Sequence, residues 1–373
     1  MTATSSPVGS STRSFSVPAA LATAGQRLKK IADRPPLLLI ISLLLLPVYE
    51  LALHRRPFVL AQVLMVMIPM AAVTLGGGWR YGVVASAPAA LAWTVATAVS
   101  GQPLTAALFA GLLAILCKVA ICDGRGGLIP VVAMFITMSI INPPHLHGAS
   151  HPHAWANLSA VFIWSLAASL WAVLIGALAR RGRPVPTLPK PPLRWGVIAG
   201  VLLAIVIAPA TAYVVSHHLG HGGAWMLVAI YVVFLPLTPS PWLKAFHRAI
   251  GTLLGVGFVW LLTSSLPVHA PAWAFLVPGA LALVAAVQIQ FLHTWAYWMY
   301  CAFLTAAIVL LEGSFALSVD THRSVQTIDS LRLRYELIGI GVALIAQAVV
   351  VTIQGPILSR IAPGNGEASI PTT

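Results

Sequence analysis

The chain has 373 residues, of which 59% are hydrophobic and only 8% charged, far below the roughly 25% charged residues of a soluble domain. A water-soluble globular core is excluded, and a closed barrel is excluded by the absence of period-2 alternation. The net charge of +13 is spread in short groups between apolar runs, a pattern that fits membrane topology and gives no stripe for nucleic acid.

Residues 1–35, rich in Ser, Thr, Ala and Arg, read as a basic cytoplasmic tail. A transit peptide shares that composition, but no apolar stretch with a cleavage site precedes Arg34, which argues against a removed secretory signal. Twelve apolar segments of crossing length follow, at about 37–53, 58–75, 81–99, 104–121, 127–142, 156–179, 195–215, 224–239, 248–266, 272–290, 294–312 and 335–354. The expected fold is therefore an all-α integral membrane protein of about twelve transmembrane helices. Residues 36–180 form a first six-helix repeat and 195–356 a second. Between them, 181–194 is a Pro- and Arg-rich cytoplasmic linker, stiff and non-helical, and 357–373 is a cytoplasmic tail.

With the N-terminus inside, sixteen of the 21 Lys and Arg fall on the cytoplasmic side. Both termini are then cytoplasmic, in a bacterial inner membrane. The histidine-rich loops 144–153 and 217–221 lie outside; they carry no Cys or carboxylate and no H-E-x-x-H, so no metal site or other cofactor is assigned. Cys117, Cys122 and Cys301 follow no metal or disulfide spacing and read as buried filler.

The halves resemble each other. In the first, an apolar span with Pro69 breaks and reopens at Trp79-Arg80-Tyr81-Gly82; in the second, a span with Pro236 breaks and reopens at Phe246-His247-Arg248-Ala249-Ile250-Gly251. Six spans per half give the two copies the same orientation, related by a pseudo-twofold axis along the membrane normal.

The stretch KAFHRAIGTLLG, Lys244 to Gly255, concentrates the chemistry. Arg248, Gly251, Thr252 and Gly255 share one helical face. Two readings stay open: tight helix packing at Gly251 and Gly255 with Arg248 as a topological anchor, or an anion-attracting site where Lys244, His247 and Arg248 reinforce a helix N-terminus.

Arg248-x-x-Gly251-Thr252-x-x-Gly255, after the apolar span Trp225 to Pro236, resembles the R-x-x-G-T-x-x-G signature of the fusaric-acid-resistance-like, or aromatic acid exporter, membrane proteins. The likeness extends from Leu193 to about Gln354, through Leu193-Arg194, Thr305 and the element Arg332 to Gly339. Tyr335-Glu336 stands where that family usually has Asp-Thr. The resemblance implies an inner-membrane transporter exporting aromatic or other organic acids, and a more distant likeness to plant malate-channel membrane domains implies anion conduction.

Gln288 to Trp298 joins two spans with almost no loop. It reads either as a tight turn in an aromatic belt or as a broken hairpin in which His293, Tyr297 and Trp298 face an aromatic ligand. Glu312, Asp320, Asp329, Arg332, Arg334 and Glu336 are placed near the outer end of the last two spans, either as a solvated loop or with Glu312 or Glu336 carrying a proton during transport. Glu50, near the end of the first span, is a weaker proton candidate.

No G-x-x-x-x-G-K-[ST] and no convergent nucleophile set appears, so no enzyme is expected. The leading expectation is a secondary exporter of an organic anion, bound by Arg248, Lys244 and Thr252 and coupled to protons. A passive anion channel and a non-transporting component of envelope assembly or resistance are the alternatives. Its surroundings are the lipid bilayer, with a homodimer or a periplasmic adaptor as the protein partners considered.

Overall fold

Inside hydrocarbon a backbone amide finds no water, so a crossing segment must satisfy its own hydrogen bonds. The computed structural model is all-helical in the residues it describes, with no strand among them. It describes Pro47 and residues 57–361, apart from 125–128, 146–150, 181–189, 235–240, 268–269, 271–272, 293–296 and 320–324. Side chains of 57–61, 221, 241, 287, 290–292, 312–330 and 350–361 are likewise not described. The predicted first span, most of the linker, His293 and the Glu312 side chain therefore lie outside the described residues.

Eleven helices follow one another: α1 Pro57–Gly77, α2 Trp79–Ala98, α3 Pro103–Ile121, α4 Ile129–Ile141, α5 Trp155–Ala179, α6 Leu193–Ser216, α7 Gly220–Val233, α8 Pro241–Ser265, α9 Trp273–Leu292, α10 Tyr297–Val319 and α11 Val325–Ile361. Five of them, α2, α3, α5, α6 and all but the first residue of α8, are long and apolar enough to cross a membrane. Turn chemistry sets several of the ends. Gly78, at φ 87°, breaks α1 from α2, and Gly101, at φ 76°, precedes a Pro at the first position of α3. Within the helices, hydroxyls fold back onto the preceding turn, as Thr74 does to the Met70 carbonyl at 2.9 Å and Thr211 to that of Ile207 at 2.7 Å.

Apolar side chains also point outward, as a lipid-facing surface requires. On α3, Leu104, Leu108, Leu112 and Leu116 form an exposed stripe at every fourth residue. A flanking face of α3 packs along α6, where Gly200 sits so close to Ile115 that a Cβ would meet its Cα at 2.7 Å. By contrast, α7 is buried from Gly222 to Val233. At 14 residues it is about 21 Å long, short of a bilayer's ~30 Å core. Its Trp225, Val228 and Val232 share a core with Met138 of α4, joined by Met65 of α1 and Ile308 of α10.

Two helices begin seven or more residues before their expected starts. Hydropathy starts the ninth and twelfth spans at 248 and 335, whereas α8 begins at Pro241 and α11 at Val325. The charged residues at those edges belong to the helices themselves. Charge lowers a hydropathy average, but it does not stop a helix when the charges are paired.

Candidate functional site

Glu336 lies in the twelfth position of α11 and is 1% exposed. Rather than joining a solvated outer loop, its carboxylate forms an ion pair with Arg248 Nη2 of α8 at 2.7 Å, with Arg332 Nε one turn back on α11 at 3.8 Å. Arg248 is 7% exposed and Arg332 2%. The Arg332 guanidinium also stacks over the Trp225 ring of α7, 3.6 Å from its centroid. Charges expected at opposite membrane edges thus meet inside the bundle. They can do so because each sits two or three turns into its helix, and burial of ions on this scale is tolerated only with such pairing.

Around this core the α8 face is arranged as its spacing dictates. Thr252, one turn beyond Arg248, is fully buried, and its Oγ1 has no hydrogen-bond partner among the described residues. Gly251 and Gly255 bring α8 against α10: a Cβ on Gly255 would meet the Ala302 carbonyl oxygen at 2.6 Å and Thr305 Cβ at 2.8 Å. This close approach sets Tyr297 and Cys301 beside Arg248. Tyr297 also offers its ring to Lys244 Nζ at 5.8 Å and lies 5.8 Å from the Tyr300 ring. Trp298 is half-buried in the same turn of α10, its carbonyl against Gly251.

The structure therefore brings together Arg248, Lys244, Thr252, Tyr297, Trp298, Glu336, Gly251 and Gly255 at the junction of α8, α10 and α11. The α8 N-terminus itself is about 10 Å from Arg248, seven residues away at 1.5 Å each. Free amides at that end adjoin Lys244 and not Arg248, so the helix dipole and the guanidinium act at different depths.

Sequence reading missed Lys118. Expected as a cytoplasmic charge, at the start of a break corresponding to residues 288–298, it sits in the last turn of α3, 3% exposed, and its ammonium donates to the carbonyl of Phe234, the residue capping α7. A lysine inside an apolar run, with Asp123 the nearest acid in the sequence, was the available signal. Lys118 and Lys244 lie within electrostatic reach of each other, so the first half of the chain adds a cation to a site built on the second. Arg80, which the sequence likeness of the halves sets against Arg248, is exposed and covers Trp79 at 5.5 Å. The likeness between halves does not extend to a second buried arginine there.

The unpartnered Thr252 hydroxyl yields a direct test. Thr252→Val keeps the shape and removes a buried polar group that has no partner, so thermal unfolding in detergent should be unchanged or slightly later. If Oγ1 contacts a ligand, the same variant should lose ligand affinity severalfold. A variant that unfolds markedly earlier would show that the hydroxyl has a structural role.

No family model, no curated protein and no solved structure matches the chain.

Proposed function

We propose that the chain is a membrane transporter that exports organic anions, aromatic acids among them, from the bacterial cytoplasm across the inner membrane. The observation that carries this reading is the buried Arg248–Glu336 pair beside Lys244 and a set of aromatic rings. Purely structural packing would be served as well by apolar side chains of the same volume, which often match or exceed a buried ion pair in stability. An anionic substrate supplies a reason to keep the guanidinium.

The proposed cycle is an exchange of partners. A substrate carboxylate from the cytoplasm takes the bidentate face of Arg248, and Glu336, released from it, accepts a proton from the same side. Return of the Glu336 carboxylate to Arg248 expels the anion on the other side and gives up the proton there, so that one anion and one proton cross together. Tyr297 and Trp298 would stack an aromatic substrate, and Lys244 would attract it.

The architecture proposed with this function is twelve spans in two six-helix repeats of the same orientation, with both termini cytoplasmic. Helix neighbours support it. α1 packs with α5 as α7 does with α11, α2 with α5 as α8 with α11, α2 with α4 as α8 with α10, and α3 with α4 as α9 with α10. The core shared by α1, α4, α7 and α10 joins two pairs of equivalent helices. On this reading the chain is a relative of the aromatic acid exporters, the family its Arg-Gly-Thr-Gly signature resembles.

The experiment is flux of labelled hydroxybenzoate in proteoliposomes, with and without an imposed pH gradient, for the native chain and Arg248→Ala. Gradient-dependent efflux reduced at least tenfold in the variant is the expected result. Equal flux in the two proteins would remove Arg248 from the site, and flux indifferent to the gradient would replace coupled export by passive conduction.

A further inference from the structure

We propose that Lys118 is an anion-binding residue of this site, and that with Lys244 it selects a doubly charged substrate, a dicarboxylate, over a monocarboxylate. The inference rests on the transport reading above and narrows its substrate class.

An ammonium has three N–H donors and no acceptor. Lys118 uses one on the Phe234 carbonyl and, among the described residues, has no carboxylate partner. The carbonyl end of α7 offers only a fraction of a negative charge, so burial of a full positive charge at 3% exposure is incompletely offset. Lys244 is in the same position. Its ammonium rests near the Tyr297 ring, again without a carboxylate, and it faces the like charges of Arg248 and Lys118.

Arg248 and Glu336 neutralise one another at 2.7 Å. Two ammoniums are left over, one on α3 and one on α8. When a substrate carboxylate displaces Glu336 from Arg248, a monocarboxylate held there beside Lys244 leaves Lys118 unmatched. A dicarboxylate gives Lys118 a carboxylate as well and places its hydrocarbon part against Tyr297 and Trp298. The α7 carbonyl is then the resting partner of Lys118 when no substrate is present.

The test compares benzoate with benzene-1,2-dicarboxylate in counterflow assays on full-length protein in proteoliposomes, for the native chain, Lys118→Gln and Lys118→Arg. The native chain is expected to carry the dicarboxylate at least tenfold better at equal concentration, Lys118→Gln to bring that ratio to about one, and Lys118→Arg to keep most of it. A native preference for benzoate, or a Lys118→Gln variant with an unaltered ratio, overturns the proposal. So does equal loss of both fluxes with earlier unfolding, the mark of a residue that only caps α7.

If neither anion is carried, the transport reading fails separately. Quenching of tryptophan fluorescence by the dicarboxylate in detergent then decides the site: saturable binding weakened tenfold by Lys118→Gln upholds it, and absence of saturable binding ends it.

Discussion

Glu336→Gln is expected to destabilise the protein by about 3 kcal/mol or more, the cost of leaving a buried charge without its partner. The Arg248 guanidinium, 7% exposed, would keep its charge and lose the carboxylate 2.7 Å away. Glutamine preserves the shape and one acceptor but supplies no charge. Thermal unfolding in detergent should shift down by several degrees, and anion flux should fall with it.

The decisive comparison is the triple variant Arg248→Met/Arg332→Met/Glu336→Met, which removes Glu336 together with both arginines paired to it. If the charges were kept for stability, the triple variant would be as unstable as the single one. Matched apolar replacements of buried ion pairs and triads are often neutral or stabilising, so recovery of unfolding temperature without recovery of flux is expected. A single variant that unfolds with the native protein would refute the buried pair, and a triple variant that still transports would refute its role.

Most of the helices were legible because hydropathy and helix length obey the same constraint. For α2, α3 and α5 the expected ends fall within two residues of those observed, since Gly78, Gly101 and the Pro at the start of α3 punctuate the run. α8 and α11 were less legible. Arg248 and Glu336 lower the average of any window that contains them, and a window cannot know that the two will meet across 87 intervening residues.

Within the site, the Arg248 face was readable from its i, i+3, i+4 spacing, because helical periodicity is local. Lys118 was not, because its partner is a backbone carbonyl on another helix and leaves no mark in side-chain pattern. Trp225 was recognised as the start of an apolar span, yet its place beneath Arg332 depends on how α7 and α11 pack. Helix content is thus written locally, whereas the pairing of charges is written only in the fold.

Gly251→Ala and Gly257→Ala should move stability in opposite directions, although both add one methyl to the same helix. At Gly251 the new Cβ would press on the Trp298 carbonyl oxygen and Cys301 Cβ, with the Ala302 nitrogen at 3.0 Å. Backbone cannot rotate aside, so α8 and α10 must part, at a cost of about 1–3 kcal/mol for overpacking against up to ~1 kcal/mol recovered from alanine's helix propensity. At Gly257 a Cβ would meet no described atom within 4 Å, and alanine should stabilise by about 0.4–1 kcal/mol through the unfolded chain. Unfolding temperatures in detergent test this directly, and equal shifts for the two variants would contradict the close α8–α10 approach. The consequence reaches the site, because the α10 turn that Gly251 touches carries Tyr297 and Trp298. Parting the helices withdraws Tyr297 from Lys244 and from Arg248. Gly251→Ala should therefore weaken anion flux more than its loss of stability alone would, while Gly257→Ala should leave flux intact. Close packing and anion binding are then two uses of one helix face: the small residues admit α10, and α10 brings the rings to the guanidinium.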